Sequence, residues 1–355
     1  MLAALAQTSA APRTTSGHIN PHTLLMFVRH FLYGLRIVCN SPVPGLPIRE
    51  DYRAPDVTVH LREKNCLQAD LKALPRKFSY ISPHLNAQGQ PHLRAGSLND
   101  DYFGFFYDDG ARFAVKRDGS EIWADWLDNY AVEDIATYLV GPVMGFVLRL
   151  KGVLPLHACA IAIQDRAIAL VGEQGAGKST AAAAFARLGY AVLSEDVAAV
   201  AEVGGQLIVH PGYPRVNLWP ESVEALFGSA DKLPQVTPTW GKQFLALDGA
   251  ENRFQNEPLP LSAIFILEER VSGADLPRID AIPAASALTM VVANTYGNYL
   301  LDASLRRKEF VQLGSLLAKI QIYQVWPSED PARVYELCQA IAAKVRGDGT
   351  FAVSC

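Results

Sequence analysis

Gly172-Glu173-Gln174-Gly175-Ala176-Gly177-Lys178-Ser179 has the spacing G-x-x-x-x-G-K-S, and the chemistry that such a run performs is holding a polyphosphate. Glycines let backbone N–H groups turn toward phosphate oxygens, and the start of a helix adds partial positive charge. In such a loop Lys178 reaches the β- and γ-phosphates and the Ser179 hydroxyl ligates Mg²⁺. The nucleotide-binding candidates are therefore the eight loop residues and Thr180 behind them. The flanks fit. Ala167 to Val171 is an apolar strand, and Ser179 to Leu188 is Ala-rich, with Phe185 and Leu188 on one face and Gly189 as a helix stop.

Phosphoryl transfer also needs a carboxylate for the metal and one for the acceptor's proton. Glu195-Asp196 ends the strand that follows the phosphate-loop helix, where ligands of a sheet gather. The strand before the doublet, Tyr190 to Leu193, is shorter than usual for such an acid, and the bland alternative is two solvated loop acids. His157 lies between apolar stretches just before the first strand of the second half, and alone it reads as a structural histidine. Arg215 is a lone cation among apolar and aromatic residues and is a candidate for neutralising phosphate charge; Lys242 is a weaker one. Trp219, Trp240 and Phe244 read as core rather than as an adenine platform.

Elements must position these groups. Asp56 to Leu61 alternates as a strand. Tyr102 to Tyr107, Arg112 to Arg117 and Glu121 to Trp126 are separated by Asp109-Gly110 and Asp118-Gly119, which predicts a meander with an exposed edge for an extended peptide. Ala131 to Leu150 has helical spacing, with a kink expected at Pro142. The second half is expected to carry strands at Ala160–Ile163, Ala167–Val171, Ala191–Leu193, Val197–Val203, Gln206–His210, Ala263–Leu267 and Ile322–Val325. Helices are expected near Ala284–Asn294, Leu305–Ile320 and Pro331–Lys344. The division is a flexible leader over 1–20, a β-rich domain with a linking helix over 21–150, a mixed α/β nucleotide domain over 151–347, and a tail over 348–355.

Bulk properties exclude several classes. The chain has 355 residues, half of them hydrophobic, enough for two domains with a substantial core. A formal net charge of -4 without a Lys/Arg block argues against nucleic acid. Cys39, Cys66, Cys159, Cys338 and Cys355 are scattered and form no C-x-x-C, which suggests a reducing cytoplasm. The apolar run from Tyr138 to Leu148 is too short to span a membrane.

Together, His157, the loop Gly172 to Ser179 and the Glu195-Asp196 doublet resemble the HPr kinase/phosphorylase family, over roughly Leu154 to Val200. The resemblance implies a P-loop nucleotide domain of that fold, binding ATP and Mg²⁺. It implies Glu195 as the base candidate on a seryl hydroxyl and Asp196 as the second acid; the reading adopted puts Ser179 and Asp196 on Mg²⁺ and has either Glu195 or Asp196 activate the hydroxyl. His157 would stand beside the site and Lys178 on the triphosphate. The doublet is Glu-Asp where the bacterial enzymes have Asp-Asp, and no counterpart of the family's C-terminal signature segment is found. The chain looks more like the HPr-kinase-related branch, some of whose members are similar to kinases of lasso-peptide precursors. The expected function is an ATP- and Mg²⁺-dependent serine kinase acting on a peptide or small protein. The alternatives are a small-molecule kinase and a non-catalytic nucleotide sensor. The family often forms hexamers, which makes a homo-oligomer an implied assembly.

Overall fold

Period-two alternation is clearest in one central strand of the first half of the chain. Val57, Val59 and Leu61 are buried while Thr58 and His60 are only partly so, the pattern of a strand with one covered face. The computed structural model describes residues 27–62, 78–273 and 275–347. The expected leader over 1–20, the tail over 348–355, Cys66 and Cys355 lie outside the described residues. Eight strands build the first sheet: β1 (Val28–Leu32), β2 (Leu35–Cys39), β3 (Val57–Leu61), β4 (Tyr80–Ile81), β5 (Leu93–Ser97), β6 (Tyr102–Tyr107), β7 (Arg112–Lys116) and β8 (Glu121–Asp125). Their order is β1-β2-β3-β8-β7-β6-β5-β4.

The meander forms as the Asp-Gly turns predict. Asp109 Oδ1 accepts from Ala111 N and Asp118 Oδ1 from Ser120 N, while Gly110 and Gly119 take positive φ. It does not, however, offer an edge. β5 pairs with β6 and β3 pairs with β8, so every meander strand has two neighbours. Among the described residues the outer strands are β1 and β4. Turn chemistry specifies neighbours within a hairpin and says nothing about which distant strand takes the remaining ladder.

Helical spacing from Ala131 onward also becomes a helix, in three pieces. Val132–Tyr138 and Met144–Leu150 are α-helical, and a π-helical turn, Leu139–Val143, joins them around Pro142. Proline has no N–H to donate and crowds the carbonyl one turn back; the wider turn absorbs both.

The second half contributes β9 (Leu154–Ile163), β10 (Arg166–Gly172), β11 (Ala191–Ser194), β12 (Val197–Val203), β13 (Gln206–His210), β14 (Arg215–Leu218), β15 (Gln243–Ala246), β16 (Leu259–Leu267), β17 (Arg278–Ile282) and β18 (Gln321–Trp326). β9 is longer than the sequence suggests. Residues 154–157 pair with β12 and residues 158–163 with β10. β16 likewise touches β13 at its start and runs parallel to β10 and β18 beyond it. β10-β9-β12-β13-β16 therefore closes on itself as a ring of five, from which β18 and β17 extend. The fold is mixed α/β with several sheets.

Alternate residues of the long strands feed different cores. Cys159, Ile161 and Ile163 pack with the helix Lys178–Arg187, whereas Leu156, Ala158 and Ala160 pack with the helices Ala284–Ala293 and Ala303–Lys319. β12 does the same between halves. Ala198 and Val200 face the second half's own core, while Val197 and Ala199 join the core of the first sheet and its helix. One continuous apolar core thus crosses the expected boundary at 150/151.

Candidate active site

β10 ends at Gly172 between β9 and the parallel β16, so the glycine-rich loop emerges at a carboxyl edge of the sheet. Gly172 has φ +153°, and a Cβ there would stand 2.6 Å from the carbonyl of Leu267; only glycine fits. Gly177, at φ +95°, turns the chain into the helix Lys178–Arg187. That helix is buried from Thr180 to Ala186, and its alanines let it sit close among sheet, helix Val334–Gly347 and β14. The Lys178 ammonium is buried and donates to the carbonyls of Gly172 at 2.7 Å and Glu173 at 3.1 Å. Burial lowers its pKa, with Cys159, Asp196 and Glu195 opposing. Thr180 Oγ1 hydrogen-bonds Ser222 Oγ at 2.8 Å.

The acid doublet is the link between β11 and β12, both of which pair with β9. A short strand suffices because pairing on its two sides holds the doublet. The two acids diverge. Glu195 is 5% exposed and accepts from Ser179 Oγ at 2.7 Å and from Asn217 Nδ2 at 3.3 Å. Burial, and then the neighbouring Asp196, push its pKa up to about 7, against Lys242 and its two donors. Asp196 stays open to the cleft. Tyr296 OH donates to its Oδ2 at 2.6 Å, and His157 Nε2 lies 3.5 Å from its Oδ1.

His157 is not ahead of the first strand but within β9, opposite Val197. Burial lowers its pKa, Asp196 raising it and Lys178 and Lys242 lowering it. The expected residues meet in one cleft of about 1130 Å³, which takes in His157, Lys178, Ser179, Thr180 and both acids. Arg215 is not among its lining residues. Its guanidinium lies 4.1 Å over Phe244 and against Gly45, in a separate hollow shared with Val140 and Val236. Trp219 is no core residue: it is half exposed, lines the cleft, and has the Lys242 ammonium 5.1 Å over its ring. Trp240 instead packs edge-on to Tyr138 at 5.4 Å. The loop carrying Lys242 is tethered to the first half, because Thr239 Oγ1 donates to the buried Asp134.

Sequence reasoning missed Asn217, Asn294, Tyr296 and Arg270. Arg270 faces the loop, its guanidinium 3.1 Å from where a Cβ on Gly177 would stand. Asn294 Oδ1 accepts from Gly172 N at 3.0 Å, 122 residues away. No local motif marks these positions; a polar run after an apolar helix, Asn294-Thr295-Tyr296-Gly297-Asn298, reads only as a turn. The donor set suits Mg-nucleotide: a hydroxyl and two carboxylates are hard oxygen ligands, and Gly172 leaves room for no side chain.

No family model and no curated protein sequence matches this chain. Among solved structures, it matches the Hpr(Ser) kinase/phosphatase from Coxiella burnetii at 14% identity and a TM-score of 0.30, covering 55% of this chain and 95% of that chain.

Proposed function

We propose that this chain is an ATP- and Mg²⁺-dependent phosphotransferase that phosphorylates a hydroxyl, most specifically a seryl hydroxyl on a peptide or small protein in the cytoplasm. One observation carries the reading: a G-x-x-x-x-G-K-S loop opens the same cleft in which Ser179 donates to Glu195 while Asp196 stands beside His157. Bound Mg-ATP would supply the phosphoryl group and offset its charge. Lys178 and the amides of residues 172–180 would hold the triphosphate. The contacts favour a division of labour opposite to the one the resemblance implies. Glu195, buried against Ser179, belongs on the metal side; Asp196, open to the cleft with His157, belongs on the acceptor side and would take the hydroxyl proton. His157 Nε2, 3.5 Å from Asp196 Oδ1, stands where that proton could pass onward, and burial, which lowers its pKa, disfavours its charged form.

Calorimetry with Mg-ATP and label transfer from ATP test the reading. Wild type binds Mg-ATP; Lys178→Ala abolishes turnover; Glu195→Gln and Asp196→Asn each cut transfer at least a hundredfold, Asp196→Asn with near-normal ATP affinity. Absence of Mg-ATP binding to folded wild type refutes it. Label transfer to serine or another free metabolite far faster than to any peptide would establish a small-molecule kinase instead. Binding without transfer to any acceptor or to water would establish a sensor.

A further inference from the structure

The three residues after helix Ala284–Ala293 run beside β9 as if they were one more strand. His157 N donates to Asn294 O at 2.7 Å, Tyr296 N donates to Pro155 O at 3.0 Å, and Leu156 and Thr295 form an antiparallel bridge. The segment is a turn that leaves the helix, with Asn294 N still bonded to Val291 O and Thr295 N to Val292 O. Asn294 lines the cleft, and Tyr296 reaches the cleft's acid from behind. Asn294 grips the first residue of the phosphate loop, and Tyr296 donates to Asp196 at 2.6 Å. Thr295 turns the other way and donates to Glu309 Oε1 at 2.9 Å.

The strap is itself anchored from the first half of the chain. Arg149, in helix Met144–Leu150, donates through Nε to the carbonyl of Tyr296 and pairs with Glu309 at 2.7 Å, both side chains nearly fully buried. Gly145 of that helix lies flat on Tyr296; a Cβ would stand 2.9 Å from the ring's Cγ. Gly141, in the π-helical turn, does the same for Asp196, with 2.9 Å to Oδ2. A buried ion pair gains little net stability, yet it fixes the geometry of whatever it touches.

We infer that Asn294-Thr295-Tyr296 is a positioning strap, clamped by Arg149 and Glu309, that sets the phosphate loop through Asn294 and the proton-accepting Asp196 through Tyr296. Tyr296 and Asn294 are positioning residues: Tyr296 acts through the acid and Asn294 through the loop. The helix of the first half is thereby part of the active site rather than a spacer. The inference deepens the kinase reading and depends on it for its kinetic consequence, but the coupling between Tyr296 and Asp196 stands without it.

Two measurements separate the two. In urea denaturation of the nucleotide-free protein, Tyr296→Phe, Asp196→Ala and the double variant form a cycle. Coupling is expected to be fivefold or more in the folding constant, with Tyr296→Phe alone still folding cooperatively because only one oxygen is lost. Coupling below twofold overturns the strap, whatever the protein does with nucleotide. The second measurement is Mg-ATP affinity by calorimetry, with ADP formation using water as the acceptor. Tyr296→Phe should slow turnover tenfold or more with affinity within twofold of wild type, and should have no further effect in an Asp196→Ala background. Asn294→Ala should weaken Mg-ATP at least threefold. If both variants move affinity and turnover alike, the division along the strap is wrong. If wild type binds no Mg-ATP, the kinase reading falls and the denaturation cycle alone decides the strap.

Discussion

A carboxylate sealed beside a second carboxylate is unfavourable to fold around, and Glu195 occupies that position. Its pKa lies near 7 rather than 4.5, mainly through burial. Between those values the unfolded chain has released the proton and the folded chain still holds it, so this group's contribution to stability falls as pH rises through the window. Replacing it by Gln keeps an acceptor for Ser179 and removes the charge. Glu195→Gln should therefore stabilise the nucleotide-free protein at pH 8 by about 1–3 kcal/mol, with no difference at pH 4. Urea denaturation at the two pH values checks this; equal stability at pH 8 would mean that the acid is not held in its neutral form. Stability surrendered at a site proposed to hold a metal through that charge is the expected trade.

At the scale of elements, the π-helical turn around Pro142 has a consequence beyond accommodating proline. It carries Gly141 flat against Asp196. A methyl at this position would meet the carboxylate oxygen at 2.9 Å and displace it while the backbone, not in the positive-φ region, tolerates alanine. Gly141→Ala should fold with a melting temperature near wild type, bind Mg-ATP normally and lose at least tenfold in ADP formation. Unchanged turnover would show that the turn does not constrain the acid. The phosphate loop contrasts with it. There Gly172 faces a backbone carbonyl at 2.6 Å with φ +153°, so Gly172→Ala should destabilise the whole chain, by about 2 kcal/mol or more, measured as a lower denaturation midpoint.

At the scale of the whole molecule, the two halves are interlocked. Val197, Ala199, Tyr213 and Leu300 share a core with the first sheet and its helix. Tyr33, fully buried between β1 and β2, donates to the carbonyl of Val140 at 3.0 Å, behind the turn that carries Gly141. Removing residues 1–150 would expose that core and take away Arg149, the ion-pair partner of Glu309. The fragment 151–347 is expected to melt without a cooperative transition and to lose Mg-ATP binding. A fragment that melts cooperatively and binds Mg-ATP like the full chain would return the first half to an appended docking module. Among the described residues no helix is long and apolar enough to cross a membrane.

The sequence by itself determined what depends on neighbouring residues. The glycine-rich loop, its helix and stop, and the Asp-Gly hairpins were legible because backbone conformation at glycine, and side-chain bonds two residues on, are local. The placement of the acid doublet was legible too, since a strand end after a loop–helix unit has few places to go. Only the tertiary structure decided which acid faces Ser179 and which faces His157, that Arg215 stays outside the cleft, and that Trp219 lines it. It alone supplied β1, β2, β4, β5, β14, β15, β17 and the helix Pro220–Phe227, although Pro220 at that helix's start and Gly228 past its end are local start and stop signals. The strap was the least legible feature. Tyr296 meets Asp196 across 100 residues and Arg149 meets Tyr296 across 147, and no local pattern encodes a hydrogen bond whose partner arrives only when the sheet ring closes.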